Sequence, residues 1–234
     1  MNIKKHIPNT ITCCNLICGC LAVFSAVLGE TSCALIFIIC GAVFDFFDGM
    51  VARLLHVSSP IGKELDSLAD VVTFGVAPST MLMTMIAQSQ MPAWMPVEVA
   101  HYLPFAAFIM AAFSALRLAK FNLDERQSTS FIGLPTPANA LFWGALIVGQ
   151  KFWLASLPSG ALWLLVVEFV FCYLLIAELP LFALKFKNLS WKDNWPKFIF
   201  LVGCLPCFLL GWTCFAAIIV WYVLLSVVVN KMHK

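Results

Sequence analysis

Four aspartates lie close together in an otherwise apolar part of the chain, namely Asp45, Asp48, Asp66 and Asp70. The first two are spaced i, i+3 and the last two i, i+4, so each pair lies on one face of a helix. The residues between the pairs, 54–65, include a Ser-Ser-Pro sequence and a glycine, which favour a turn. We therefore expect a helix hairpin that brings the two acidic faces together.

This arrangement predicts a metal site. Four carboxylates around one cavity repel each other strongly unless cations lie between them. Oxygen ligands with room for water and phosphate suit Mg²⁺ or Mn²⁺ rather than Zn²⁺, and two such ions can promote displacement at phosphorus. We therefore expect the four aspartates to bind two Mg²⁺ or Mn²⁺ ions.

The residues around the aspartates fit a phosphate-bearing ligand. Gly49 and Ala52 leave space for a large polar molecule, although small residues also suit tight packing between helices. Arg53 offers a planar fork for phosphate oxygens. Ser59 and the backbone around Gly62 could hydrogen-bond to the same ligand.

The composition indicates that these helices lie in a membrane. Of the 234 residues, 62% are hydrophobic and 11% charged, against about 45–50% and 25% in soluble domains. The mean hydropathy is +0.95. These values exclude a soluble enzyme, a disordered protein and a secreted disulfide scaffold. An Asp facing lipid at the centre of a helix costs about 2.5–3.5 kcal/mol, so the four carboxylates must face inward.

The apolar stretches predict an all-α integral membrane protein, a polytopic helical bundle of about eight transmembrane helices. The predicted spans are 9–28, 33–55, 67–87, 101–121, 137–156, 161–184, 197–211 and 213–230. The apolar run 197–229 would be about 50 Å long as one helix, so we divide it near Gly211. We treat 1–234 as a single membrane domain, with a catalytic core at about 7–185 and C-terminal helices at about 197–230.

The basic residues predict the orientation of this bundle. With the N-terminus in the cytoplasm, all 14 Lys and Arg residues except Lys151 lie on the cytoplasmic side, as the positive-inside rule requires. We therefore expect a multi-pass protein of a bacterial-type inner membrane with both termini cytoplasmic. The first apolar segment could instead be a signal peptide, but its length favours a retained helix. The net charge of +2 does not suggest nucleic acid as a partner.

The aspartates and their neighbours carry a family resemblance. The pattern Asp45-Xaa2-Asp48-Gly49-Xaa2-Ala52-Arg53-Xaa8-Gly62-Xaa3-Asp66-Xaa3-Asp70 resembles the signature of the CDP-alcohol phosphatidyltransferases at every fixed position and gap. The resemblance implies that family's membrane-embedded helical fold, a dinuclear metal site, a CDP-linked lipid donor and a homodimer. It also implies a reaction in which the hydroxyl of an acceptor alcohol displaces CMP.

The same resemblance implies roles for single residues. Asp45 and Asp66 would bridge the two ions, Asp48 would complete one and Asp70 the other. Asp70 would also act as the general base for the acceptor hydroxyl. Gly49, Arg53 and Ser59 would hold the nucleotide pyrophosphate. The start of the first span would contact the nucleotide through Pro8, Asn9, Thr10 and Ile11.

Stretches outside the common motif suggest the acceptor. Residues 65–78, 115–122 and 133–138 resemble the bacterial phosphatidylserine synthases of this family. The resemblance implies transfer from CDP-diacylglycerol to L-serine, with phosphatidylserine and CMP as products. Arg117 could pair with the serine carboxylate, and Thr136 and Asn139 could line the acceptor pocket. Choline, glycerol 3-phosphate or inositol phosphate remain alternative acceptors, and a cation-coupled transporter is an alternative outside the enzymes.

Overall fold

The computed structural model describes residues 6–57, 59–123, 131–182 and 191–232. The helices and strands follow in chain order: α1 His6–Val27, α2 Thr31–Leu54, α3 Pro60–Asp70, a π-helical segment Val71–Val76, α4 Ala77–Gln88, α5 Val97–Tyr102, a 3₁₀ segment Leu103–Phe108, α6 Ile109–Leu123, β1 Phe131–Ile132, α7 Thr136–Ser156, α8 Gly160–Ile176, β2 Pro180–Leu181, α9 Trp191–Cys204, a second 3₁₀ segment Pro206–Thr213 and α10 Cys214–Met232.

The prediction of an all-α membrane bundle is confirmed. Five helical stretches in the described residues are long and apolar enough to cross a membrane: His6–Val27, Thr31–Leu54, Pro60–Gln88, Val97–Leu123 and Pro206–Met232. The apolar helix α8 is shorter, and α7 is kinked at Gln150. The two strands form a single antiparallel ladder two residues long, in which Ile132 pairs with Pro180.

Three predicted boundaries differ from the structure by seven or eight residues. The third helix begins at Pro60, not at 67, because Ser59 caps it and proline is favoured in a first helical turn. The sixth ends at Ile176, well before 184. The break in the last apolar run, expected at 211, comes earlier, because α9 already ends at Cys204. The 3₁₀ segment that follows contains Gly211 with a φ of +58°, a left-handed conformation that suits glycine.

The end of the bundle that carries the aspartate hairpin also holds both ends of the described chain. Pro8 at the start of α1 lines one cavity with Val57 and Ser59 of the hairpin turn. Near the end of α10, Asn230 donates a hydrogen bond from its side-chain amide to the backbone oxygen of Pro180 in β2. Lys151 lies at the opposite end, where its Nζ is 3.4 Å from the backbone oxygen of Gly29. Residues 1–5, 124–130, 183–190 and 233–234, with the basic residues among them, lie outside the described residues.

Small residues let α1 and α2 pack closely. Ala22 and Ala26 of α1 and Ala34 of α2 are fully buried in the main hydrophobic core, and small side chains are what allow helix backbones to approach in a membrane. The hairpin helix α3–α4 packs against α1, and the π-helical segment between its two halves contacts α6 and α7. This packing places the end of α3, where Asp70 lies, among α1, α6 and α7.

Candidate active site

Three aspartates of the hairpin, Asp45, Asp48 and Asp66, form a cluster of three carboxylates, the carboxylate group. One ligand oxygen from each of Asp45, Asp48 and Asp66 lies within 4.8 Å of the other two. Asp45 and Asp48 project from the last turns of α2, and Asp66 projects from α3. The turn between α2 and α3 therefore brings the two acidic faces together, as the spacing of the aspartates predicts.

The fourth aspartate lies deeper. Asp70 is 7% exposed and is the last residue of α3. It falls outside the group of three oxygens that are closest together and lies one turn beyond Asp66 on α3. The π-helical segment begins directly after Asp70, and such segments occur often at functional sites.

Polar residues of α1 hold two of the carboxylates. The hydroxyl of Thr12 donates a 2.6 Å hydrogen bond to Oδ2 of Asp48. The amide Nδ2 of Asn15 donates a 3.1 Å hydrogen bond to Oδ1 of Asp70. Asn15 is in turn fixed by Thr73 of the π-helical segment, whose hydroxyl donates to the Asn15 backbone oxygen. The first helix thus orients both acidic helices.

A cavity of about 210 Å³ opens beside the carboxylate group. The residues that line it come from α1 and from both sides of the hairpin: Pro8, Asn9, Thr12, Asp48, Gly49, Ala52, Val57, Ser59, Gly62, Lys63 and Asp66. Two aspartates at its wall and small residues around it make a space in which a polar ligand can reach the carboxylates. Most of the predicted donor-binding residues are brought together here.

Contacts around Gly62 explain how closely α1 and the hairpin approach each other at this cavity. Ser59 is the N-cap of α3, and its Oγ accepts a 3.0 Å hydrogen bond from the backbone N–H of Gly62. A side chain at Gly62 would lie 3.0 Å from both Asn9 Oδ1 and Ser59 Oγ, so glycine lets α1 approach the hairpin. At Gly49, by contrast, an added Cβ would have Arg53 Nη1, at 3.9 Å, as its nearest neighbour. Gly49 therefore borders open space.

Three predicted donor-binding residues lie outside the cavity lining. Thr10 is exposed and its hydroxyl donates to the backbone oxygen of His6 in its own helix. Ile11 is partly buried on α1, and Arg53 is exposed at the end of α2. The guanidinium of Arg53 nevertheless lies beside Gly49, at the edge of the cavity.

The sequence reasoning missed Thr12, Asn15 and Lys63. Pro8, Thr12 and Asn15 are spaced i, i+4, i+7, which places them on one face of α1, and this spacing was the available signal. Lys63 follows Gly62 directly, but a single lysine near a helix end is typical of any cytoplasmic flank.

Lys63 connects the cavity to α6. Its Nζ donates a 2.8 Å hydrogen bond to the backbone oxygen of Asn122. The Asn122 side chain donates to Oγ of Ser67, and that hydroxyl lies 3.3 Å from the backbone oxygen of Lys63. These three hydrogen bonds join the start of α3 to the last turn of α6, the helix that carries Arg117.

The predicted acceptor residues are all buried, and two of them have polar atoms without a hydrogen-bond partner among the described residues. Arg117 is 8% exposed and has its guanidinium 5.1 Å from the centre of the Phe121 ring. Thr136 and Asn139 of α7 are fully buried, and neither the Thr136 hydroxyl nor either end of the Asn139 amide has a hydrogen-bond partner among the described residues. Buried polar groups are rarely left unpaired, so a polar ligand or water is expected beside them.

The carboxylate group fits a divalent cation. It offers only hard oxygen donors, as Mg²⁺ and Mn²⁺ prefer. Oδ1 of Asp66 is buried and without a partner among the described residues, which is expensive for an ionised oxygen unless a cation lies beside it. Asp45, Asp48 and Asp66 could therefore hold metal, with Asp70 adjoining them.

Curated relatives resemble part of the chain. A protein of Bacillus subtilis named CDP-diacylglycerol–serine O-phosphatidyltransferase is 44% identical over 138 residues, which are 57% of this chain and 70% of that protein. Proteins of the same name from Helicobacter pylori J99 and Mycobacterium leprae are 37% and 32% identical, over 54% and 44% of their lengths. The matched region therefore spans about half of the latter two proteins.

The family match covers much more of the chain than these pairwise similarities do. It extends from residue 5 to residue 230, and so includes the aspartate hairpin, the helix α1 that holds it and the buried polar residues of α6 and α7. The motif, the cavity and the carboxylate group all lie within this range. The chain belongs to the CDP-alcohol phosphatidyltransferase family.

Proposed function

We propose that this protein transfers the phosphatidyl group of CDP-diacylglycerol to L-serine, giving phosphatidylserine and CMP. The observation that carries the proposal is the carboxylate group of Asp45, Asp48 and Asp66, of which Asp48 and Asp66 line a cavity together with the small residues of the family motif. Asp45, Asp48, Asp66 and Asp70 would hold two Mg²⁺ or Mn²⁺ ions. When bound, these ions would neutralise the donor pyrophosphate and the leaving CMP.

The donor nucleotide would occupy the cavity. Pro8 and Asn9 line it from α1, while Gly49, Ala52, Ser59 and Gly62 line it from the hairpin. Two cations adjoin it, Arg53 at the edge and Lys63 in the lining, and both could pair with phosphate oxygens. Thr10 and Ile11 would contribute to nucleotide binding only by holding their neighbours on α1 in place. The acyl chains would enter from the bilayer between helices.

The reaction needs a base and an orienting group, and Asp70 and Arg117 supply them. The serine hydroxyl oxygen forms a bond to the phosphorus that carries diacylglycerol, the bond from that phosphorus to the CMP oxygen breaks, and CMP leaves with the bonding electrons. Asp70 takes the hydroxyl proton, and Asn15 keeps its carboxylate in place. Arg117 would hold the serine carboxylate, with Thr136 and Asn139 as further hydrogen-bonding groups.

The buried charges favour serine over phosphate-bearing acceptors. Arg117 is the one buried basic residue in the part of the chain that the structure describes. One guanidinium suits one carboxylate, whereas glycerol 3-phosphate or inositol phosphate would call for more positive charge around the pocket. The names of the curated relatives support the same choice.

The location in the cell follows from the same proposal. Serine and CMP are soluble in the cytoplasm, so the site would open there. Both ends of the chain would then be cytoplasmic in a bacterial-type inner membrane, with Lys151 on the far side. We extend the family resemblance to a homodimer as part of this proposal.

The experiment is CMP release from CDP-diacylglycerol by the purified protein. Serine, glycerol 3-phosphate, inositol phosphate and choline are tested in parallel with Mg²⁺ or Mn²⁺, and the Asp70→Asn variant, purified in the same way, is the control. Release that depends on serine and is lost with EDTA supports the proposal. Release with another alcohol overturns the choice of acceptor, and no release from folded, metal-loaded protein overturns the transfer reaction and favours a transporter.

A further inference from the structure

A titratable side chain lies inside the bundle, where the catalytic motif does not reach. Glu168 is in the middle of the apolar helix α8 and is 1% exposed. Its Oε1 accepts a 3.2 Å hydrogen bond from the backbone N–H of Met110, and its Oε2 is buried without a partner among the described residues. An acidic residue at this depth is expensive and needs a reason.

The hydrogen bonding around Met110 supplies that reason. The backbone N–H of Ile109 donates to the oxygen of Ala106, which closes the 3₁₀ segment Leu103–Phe108. In an α-helix the N–H of Met110 would bond to that same oxygen, four residues earlier. At this junction, where 3₁₀ geometry changes to α geometry, Oε1 of Glu168 accepts from the N–H of Met110.

The position of this junction sets the rotation of α6. A residue turns the chain by about 120° in a 3₁₀-helix and about 100° in an α-helix, with rises of about 2.0 and 1.5 Å. Moving the junction by one residue would therefore turn all of α6 by about 20° and shift it by about 0.5 Å.

Arg117 lies on the α6 face that this junction controls. Met110, Ser114 and Arg117 are spaced i, i+4, i+7, and all three are buried. The helix α6 packs against the π-helical segment that directly follows Asp70, so a rotation of α6 would change where the guanidinium lies relative to the proposed base. Displacements of about 1 Å at a reacting centre can lower turnover about a hundredfold.

We propose that Glu168 is a positioning residue for the acceptor site: it fixes the 3₁₀-to-α junction of α6 and thereby the placement of Arg117. This inference rests on the proposed function only in assigning the acceptor to Arg117. It requires an acceptor oxygen at Oε1, not a negative charge, so an isosteric amide should replace the carboxylate.

The test compares three substitutions by steady-state kinetics, with the alcohol that the unmodified protein uses. Glu168→Gln keeps the acceptor oxygen and should leave both KM values nearly unchanged. Glu168→Met removes it and should raise the acceptor KM about tenfold, with the CDP-diacylglycerol KM changed less than about twofold. Glu168→Asp withdraws the carboxylate by one methylene and should resemble Glu168→Met, which keeps the test valid if the Met variant does not fold.

A packing control separates positioning from general loss of stability. Leu164 is buried one turn before Glu168 on α8. Leu164→Ala should lower the Tm by leaving a cavity, without a selective rise in acceptor KM. In addition, Glu168→Met and Arg117→Lys should combine non-additively, since the first acts through the second.

The contrary results are distinct. An unchanged acceptor KM in both Glu168→Met and Glu168→Asp overturns the inference. An equal rise in the KM values of both substrates also overturns it. So does a rise in acceptor KM in Glu168→Gln that equals the rise in Glu168→Met. Failure of the unmodified protein to use serine while it uses another alcohol overturns the proposed acceptor but leaves this test intact.

Discussion

Asn15 and Asp70 lie 55 residues apart in the chain and are joined by a 3.1 Å hydrogen bond from Asn15 Nδ2 to Asp70 Oδ1. Both residues are buried, and the backbone oxygen of Asn15 also accepts from Thr73, three residues beyond Asp70. These two hydrogen bonds tie the first helix to the end of α3 and to the π-helical segment that follows it. The first of them holds the carboxylate of Asp70 through one of its two oxygens, Oδ1.

Replacing Asp70 should separate binding from chemistry. Asp70→Asn removes the proton acceptor but keeps the size of the side chain, so we expect turnover to be abolished while some CDP-diacylglycerol binding remains. Asn15→Leu should lower kcat in the same direction but less, because it only releases Asp70 from its hydrogen bond. CMP release and donor binding measure the two effects. Retained turnover in Asp70→Asn would remove Asp70 as the base.

Asp45 should matter for metal and donor together. Asp45→Asn takes one carboxylate from the group of three, which weakens cation binding and so the binding of the pyrophosphate. We expect a higher Mg²⁺ or Mn²⁺ concentration for half-maximal activity and a higher donor KM. A metal titration identical to that of the unmodified protein would contradict the proposed role of Asp45. EDTA should abolish activity, and added metal should restore it.

Gly49→Ala tests whether the cavity holds the donor. The added methyl would meet Arg53 Nη1 at 3.9 Å, an ordinary contact, and alanine stabilises a helix interior by about 0.5–1 kcal/mol relative to glycine. We therefore expect an unchanged or higher Tm together with a raised donor KM, since the methyl borders the space that the nucleotide would fill. Normal donor kinetics in a stable Gly49→Ala protein would place the nucleotide elsewhere.

Thr12 and Thr10 differ in what their hydroxyls contact. The Thr12 hydroxyl lies 2.6 Å from Oδ2 of Asp48 and 3.1 Å from the backbone oxygen of Pro8, whereas the Thr10 hydroxyl donates to the backbone oxygen of His6 and lies outside the cavity lining. Thr12→Val should therefore raise the metal requirement and the donor KM more than Thr10→Val does. Both substitutions preserve shape, so their comparison controls for packing. A larger effect at Thr10 would favour the sequence-based assignment over the contact in the structure.

Lys63 should contribute to donor binding. It lines the cavity and its Nζ bonds to the backbone oxygen of Asn122. Lys63→Met should raise the donor KM about tenfold, the size expected for loss of a charge-assisted hydrogen bond. Lys120→Met removes an exposed cation near the end of α6 and is the matched control. Equal effects of the two substitutions on donor KM would indicate only a general loss of positive charge.

Much of the site could be predicted from the sequence because its determinants are local. The spacing of Asp45 with Asp48 and of Asp66 with Asp70 places each pair on a helix face, and the turn at Ser59 and Pro60 folds the two faces together. The apolar composition similarly predicted a membrane bundle, since no other solvent tolerates so much exposed apolar surface.

Contacts between distant helices were beyond such reasoning. No pattern in the sequence states that Thr12 and Asn15 bond to Asp48 and Asp70, because the partner of a helix face depends on how the whole bundle packs. The π-helical segment after Asp70 is likewise accommodated by glycines of α1 and α2, where a side chain at Gly19 or Gly41 would collide with Thr73.

Glu168 shows most clearly the difference between what the sequence predicts and what the tertiary structure decides. Its sequence neighbours are apolar, so the chain alone offers no reason for a carboxylate there. In the structure it accepts a hydrogen bond from the backbone N–H of Met110, on another helix, at the point where the 3₁₀ segment passes into α6. The sequence by itself determined the solvent, the helices and the acidic hairpin, since these follow from composition and spacing. Only the tertiary structure decided which polar groups hold the hairpin and α6 in place, because those partners meet through packing alone.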